Sequence, residues 1–123
     1  MTRQQLAARL ARIQAALVAL GPIHPGSLST QYNVCGTPGC QCKAPRAPQK
    51  HGPYHQLSYT WRGKSTTRFV RPGRVAILRA KLARYQRFRA LTAEWVDVAI
   101  ALEALERQAA NAEAECRRPR STA

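Results

Sequence analysis

The sequence predicts an α+β fold: an N-terminal helix, a cysteine knuckle joined to a two-stranded antiparallel hairpin, and a long C-terminal helix that packs as a helical hairpin or coiled coil. Three observations lead there. Three of the four cysteines, Cys35, Cys40 and Cys42, fall within eight residues among turn formers. Residues Tyr54 to Trp61 alternate apolar and polar in the manner of a strand. Beyond Arg74 no Gly or Pro interrupts the chain until Pro119, while Leu78, Leu82, Tyr85, Phe88, Leu91, Trp95, Val98, Leu102 and Leu105 recur at helical spacing. A chain of 123 residues accommodates one small domain, 1–123, whose limited core gains from a metal staple.

The first helix, about 2–20, has Thr2 placed to cap it and Gly21 with Pro22 to stop it. Leu6, Leu10, Ile13, Leu17 and Leu20 form a heptad-like seam that calls for a helical partner. Arg3, Arg9 and Arg12 precede a short apolar run, yet no small-residue cleavage site follows, so the segment reads as mature structure and not as a targeting signal. Residues 23–29 read as a loop turned by Pro25 and Gly26, with His24 at its surface.

The knuckle and hairpin take residues 32–72. Gly36, Pro38 and Gly39 let the backbone bring the Cys35, Cys40 and Cys42 sulfurs toward one point. Zinc takes four nitrogen or sulfur ligands in a tetrahedron. Cys40 and Cys42 are separated by Gln41 alone, so both reach one ion only if the chain turns there. The nearest candidates for a fourth ligand are His51 and His55, with His24 and Cys116 more remote. His51 is preferred because Gly52 and Pro53 form a turn that presents it. Uncoordinated thiols, or a disulfide in an oxidising compartment, are the competing readings. Lys43 to Lys50, with Pro45 and Pro48, is an exposed basic connection. Tyr54–Trp61 and Ser65–Val70 are the two strands, joined by a turn at Arg62-Gly63-Lys64. Tyr59 and Trp61 serve either to cover the hairpin or to stack single-stranded bases.

The long helix is expected over 74–116, with Tyr85, Phe88 and Trp95 at core spacing and a basic tail at 117–123. Folded back antiparallel, the shorter first helix would reach from near Arg74 to near Glu94, bringing Arg3 toward Glu94 and Asp97. The seam of Val98, Leu102 and Leu105 would then lie bare and drive self-association through the C-terminal half.

Charge carries the functional reading. The formal net charge is +14, and all six acids lie between Glu94 and Glu115. One-signed charge over the first 93 residues resists folding by self-repulsion and points to a polyanionic partner, nucleic acid before a membrane surface. The expected phosphate contacts are Arg62, Lys64, Arg68, Arg71, Arg74, Arg79, Lys81, Arg84 and Arg87. DNA is expected ahead of RNA. No segment has the apolar length to cross a bilayer, and a reducing cytoplasm is the expected compartment. No Cys-x-x-Cys, paired carboxylates or phosphate-cradling loop occurs, so an enzyme is not expected.

The motifs Pro25-Gly26-Ser27-Leu28-Ser29, Cys35-Gly36-x-Pro38-x-Cys40-x-Cys42, His51-Gly52-Pro53-Tyr54, Leu57-Ser58-Tyr59 and Gly63-Lys64, followed by an Arg-rich helix, resemble a family of short prokaryotic proteins classed as a domain of unknown function, some of them near mobile elements. The resemblance covers about residues 25–91. It implies a metal knuckle at Cys35, Cys40, Cys42 and His51, and brings no established activity. His55 stands where the family pattern has an aromatic residue. The sequence thus supports a small zinc-stabilised nucleic-acid-binding module, an accessory factor of a mobile element; the alternative is a helical adaptor or accessory subunit for a protein partner.

Overall fold

The structure, a computed structural model, describes residues 1–117; of the basic tail expected over 117–123, Arg117 is helical and the rest lies outside the described residues. The order of elements is helix α1 (Arg3–Val18), strands β1 (Ser27–Asn33), β2 (His51–Trp61) and β3 (Lys64–Val70), and helix α2 (Val75–Arg117), with short 3-10 turns at Gln41–Lys43 and Pro72–Arg74. The α+β reading holds. The chain gathers into two compact units, one of residues 1–21 with the chain from Arg87 onward, the other Pro22–Gln86.

In the helical unit, Thr2 caps α1 reciprocally with Gln5: the Gln5 N–H donates to Thr2 Oγ1 at 3.2 Å, and the Thr2 N–H donates to Gln5 Oε1 at 3.0 Å. Leu6 and Ile13 of α1 form one buried cluster with Leu91 and Val98 of α2, flanked by Leu10, Ala16, Leu17, Ala101, Leu102 and Leu105. The expected pairing therefore forms, displaced toward the C-terminus. Val98 is fully buried, Leu102 and Leu105 pack beside it, and Arg3 reaches Glu106 at 3.7 Å instead of Glu94 or Asp97. The seam expected to be bare is covered by α1, which removes the ground for self-association through it. The reason lies in the first three turns of α2, which the other unit claims. Within that unit the His24 backbone N–H donates to the Lys81 carbonyl at 3.2 Å, and the Arg84 guanidinium donates to the Pro22 carbonyl at 3.0 Å.

The second unit is a three-stranded antiparallel sheet in the order β1-β2-β3. The sequence predicts only two strands, with residues 23–29 as loop. β1 escapes a reading by pattern because Ser27-Leu28-Ser29-Thr30-Gln31-Tyr32-Asn33 is polar on both faces, with Leu28 alone partly buried. It is an edge strand held by backbone pairing to β2, Ser27 opposite Ser58 and Leu28 opposite Leu57. The β2–β3 turn is Arg62-Gly63, both at positive φ, closed by Trp61 opposite Lys64. Lys64 thus belongs to β3 and not to the turn. Leu57 is the buried residue of the sheet, and Tyr59 beside it takes the His24 ring edge-on at 4.9 Å.

Candidate functional site

Strand pairing builds the site. β1 and β2 run antiparallel, and Asn33 lies opposite His51, so Cys35 and His51 arrive at the same end of the sheet. The ladder shifts between Gln31 and Asn33, an irregularity that re-aims the chain as it leaves β1 for the knuckle. His51 is consequently not carried on a turn, as expected from sequence; it is the first residue of β2.

The knuckle turns where two sulfurs two residues apart require it. Gly39 adopts φ +78°, and the 3-10 turn over Gln41–Lys43 follows with Cys40 as its cap. Lys43 N–H donates to the Cys40 carbonyl at 3.0 Å, and Gln49 N–H to the Gln41 carbonyl at 3.0 Å, which closes the basic bridge on itself. Cys40 and Cys42 then face one point. The ligand atoms of Cys35, Cys40, Cys42 and His51 all lie within 4.8 Å of one another, the one such cluster of His, Cys, Asp or Glu among the described residues. Cys35 Sγ is 3.5 Å from Cys42 Sγ, and Cys40 Sγ is 3.2 Å from His51 Nε2. All four cysteines are thiols.

These distances bracket those of a tetrahedral ion and leave only a small closing-in for the donors to make. Sulfur about 2.3 Å and imidazole nitrogen about 2.0 Å from zinc stand roughly 3.5 to 3.8 Å from each other at tetrahedral angles. Three sulfurs and one nitrogen are also a donor set that zinc favours over magnesium or calcium. His55 does not join them: its Nδ1 lies 3.3 Å from Thr30 Oγ1. His24 Nδ1 lies 2.6 Å from the Pro25 carbonyl, and Cys116 is exposed near the end of α2.

The electrostatics of the four groups are mutual. The Cys35 thiol is lowered to about 6, first by the Thr37 backbone N–H and then by the His51 ring. Cys40 is held below the ordinary thiol range, chiefly by the Cys42 backbone N–H. Cys42, which is buried, is pushed up by desolvation. His51 is raised by hydrogen bonding to Cys35 and Cys40. The hydrogen bonds thus favour a thiolate at Cys35 and the protonated ring at His51, and a divalent cation bound by all four groups would displace the protons they still carry.

The residues expected to meet phosphate divide. Arg62, Lys64, Arg68, Arg71, Arg74 and Arg79 are exposed in the sheet unit. Lys81 and Arg84 are half-buried on α2, where Arg84 holds Pro22; Arg87 is exposed and belongs to the helical unit. Of the aromatics, Tyr59 is half-buried and Trp61 is exposed with the Arg62 guanidinium 5.8 Å from its ring centre. Sequence reasoning missed Phe69, the most exposed aromatic residue of the sheet at 73%. The two-residue turn carried the signal, since it fixes which face Phe69 takes.

No curated protein and no solved structure matches the chain. A family model does match residues 3–80, a span that contains α1, the whole sheet, the knuckle and the start of α2. By that match over more than half its length, the chain belongs to the family described as a domain of unknown function, DUF6788.

Proposed function

We propose that the protein is a small zinc-stabilised nucleic-acid-binding module. Cys35, Cys40, Cys42 and His51 hold a structural zinc, and the exposed Arg62, Lys64, Arg68, Arg71, Arg74 and Arg79 contact phosphates, with Lys81, Arg84 and Arg87 at the margin. One observation carries the reading: the unit built around the cluster, Pro22–Gln86, contains eleven Lys and Arg and no Asp or Glu. A fold this small tolerates such charge best when a staple holds it and a polyanion neutralises it. The zinc is assigned a structural role because four protein donors complete its tetrahedron. No carboxylate precedes Glu94 to serve as acid or base beside it, so the module is a binder and not an enzyme. DNA is the first partner to test, and an accessory role at a mobile element is the biological setting proposed.

The test replaces Arg68, Arg71 and Arg74 together by Glu, three positions whose side chains are exposed. Affinity for DNA of every sequence should fall alike, because phosphate contacts position a protein without reading bases. Unchanged affinity at about 100 mM salt would remove the proposal.

A second reading, a helical adaptor for a protein partner, is favoured by Trp95, Val96 and Ile100, which stand exposed along α2 in the helical unit. A protein that co-purifies after nuclease treatment and is lost on Ile100→Glu supports it.

A further inference from the structure

Two aromatic rings stand exposed together on a sheet face that is otherwise polar. The register pairs Gln56 with Phe69 and Ser58 with Thr67, which puts Phe69 on the same face as Tyr54 and opposite to buried Leu57. Phe69 is 73% and Tyr54 40% exposed, and their ring centres lie 6.5 Å apart at 66°. Burial thus gives Phe69 little part in holding the sheet together.

The surroundings of the pair are hydroxyls and amides. Ser58 and Thr67 bring their oxygens within 3.4 Å, Thr60 and Ser65 theirs within 2.8 Å, and the Gln31 amide donates to Gln56 Oε1 at 2.9 Å. Charge is confined to the rim. At the end that carries Tyr54 and Phe69, Lys43, Arg46 and Lys50 lie in the bridge between β1 and β2, and Arg71 follows β3; Arg62 and Lys64 lie at the opposite end.

The two features select one occupant. Cations without any acid call for a polyanion. Exposed rings set among uncharged hydrogen-bonding groups call for a polyanion that presents flat π faces and polar edges. A duplex hides its base faces in the stack and offers this surface only phosphates, whereas a single strand offers bases to the rings and phosphates to the rim.

We infer that Tyr54 and Phe69 form a base-stacking platform and that the partner of the sheet is single-stranded nucleic acid. This rests on the nucleic-acid-binding reading above and narrows it. Lys43, Arg46 and Lys50, which that reading did not use, become phosphate contacts of the strand. Stacking is indifferent to base identity, so the preference is for strandedness and not for sequence.

The experiment measures fluorescence anisotropy of the zinc-loaded full chain with a short labelled DNA strand, with its duplex, and with the RNA strand of the same sequence, at about 100 mM salt. The single strand should bind about tenfold tighter than the duplex. Phe69→Leu and Tyr54→Leu should each weaken the single strand by about tenfold and leave the duplex unchanged, while Phe69→Trp keeps the parent affinity. Zinc content and circular dichroism confirm that the exposed-site variants stay folded. Ultraviolet crosslinking of the unaltered protein to the strand adds a readout free of substitutions, with adducts expected at Tyr54 or Phe69. An RNA strand that loses affinity in the Leu variants as the DNA strand does supports the platform; one indifferent to them counts against it. Leu variants that hold the strand like the parent, equal affinity for strand and duplex, or adducts confined elsewhere would overturn the platform and leave the charge-based reading standing. Failure of the parent to bind either strand or duplex overturns both.

Discussion

At Gly52 the backbone takes φ +141° and passes so close to β1 that a Cβ would meet the Gln31 carbonyl oxygen at 2.8 Å and the Tyr32 ring at 3.0 Å. No other residue fits there, and its neighbour His51 depends on the fit. Gly52→Ala should cost more than about 1 kcal/mol in denaturant unfolding and weaken zinc binding at the same time, whereas Gly73→Ala, where a Cβ meets nothing, should leave zinc binding unchanged. His51→Ala should abolish stoichiometric zinc while His55→Ala retains it, read by elemental analysis; the reverse would move the fourth ligand. The pH dependence follows from the four shifts. Cys35, lowered to about 6, has largely lost its proton at pH 7, whereas Cys42 and His51, both raised, keep theirs longer. Zinc uptake at pH 7 should therefore release protons, that of Cys42 among them, and affinity should fall as pH drops through about 6 and Cys35 itself protonates. In metal-free protein the signs oppose. The depressed Cys35 stabilises the fold above its unfolded value and loses that effect as pH falls through about 6. The raised His51 stabilises it below its unfolded value, an effect lost as pH rises through the folded one. An indicator dye in weak buffer measures the release; uptake without proton release at pH 7 would refute this assignment of charge.

Among the elements, the long helix, the capped first helix and the β2–β3 hairpin were all legible, because each carries a periodicity of 3.6 or 2 that burial enforces. The first strand was not, since an edge strand such as Ser27–Asn33 pairs through its backbone and needs no apolar face. The site was legible as a set of residue types and less so as a geometry. Cys35, Cys40, Cys42 and His51 stand out by spacing, but that His51 opens β2 depends on its pairing with Asn33, a partner invisible without β1. Phe69 was hidden by a single step: beginning β3 at Ser65 instead of Lys64 slips the register by one residue and turns each side chain to the opposite face. The helix pairing slipped for another reason, competition for the first turns of α2 by the Pro22–His24 segment. What the helical unit now exposes and buries gives a contrast to test. Leu91→Ala, at 3% exposure in the cluster with Leu6, Ile13 and Val98, should cost about 2 to 5 kcal/mol, while Ile100→Ala, at 65% exposure, should stay within about 0.5 kcal/mol. Chemical denaturation of both variants checks it, and equal costs would mean that α1 packs elsewhere.

For the molecule as a whole, charge is segregated along the chain: the six acids begin at Glu94, and the sheet unit is entirely basic. Among the described residues no helix is long and apolar enough to cross a membrane. The Cys35, Cys40, Cys42 and His51 cluster and the proposed stacking rings share one end of the sheet, so the proposed zinc would also hold the bridge carrying Lys43, Arg46 and Lys50. Salt dependence measures how many of these charges reach phosphate. If the six exposed sheet-unit positions named above neutralise six phosphates of duplex DNA, log affinity should fall against log salt with a slope of roughly −5, and a single strand that engages the six rim cations Lys43, Arg46, Lys50, Arg62, Lys64 and Arg71 should give roughly −4, by counterion release. Replacing Arg68, Arg71 and Arg74 should make the slope shallower by about one unit for each phosphate left without its cation, at every sequence tested. Chelation should also flatten the single-strand slope, because the freed bridge no longer fixes its three cations beside the sheet. A basic surface without a site behaves differently. Heparin would then compete as well as DNA, and no three positions would account for the slope. Slopes that stay near the parent's in both the triple variant and the chelated protein would show that the charge serves something other than a phosphate chain, and the exposed stripe of Trp95, Val96 and Ile100 would become the surface to pursue.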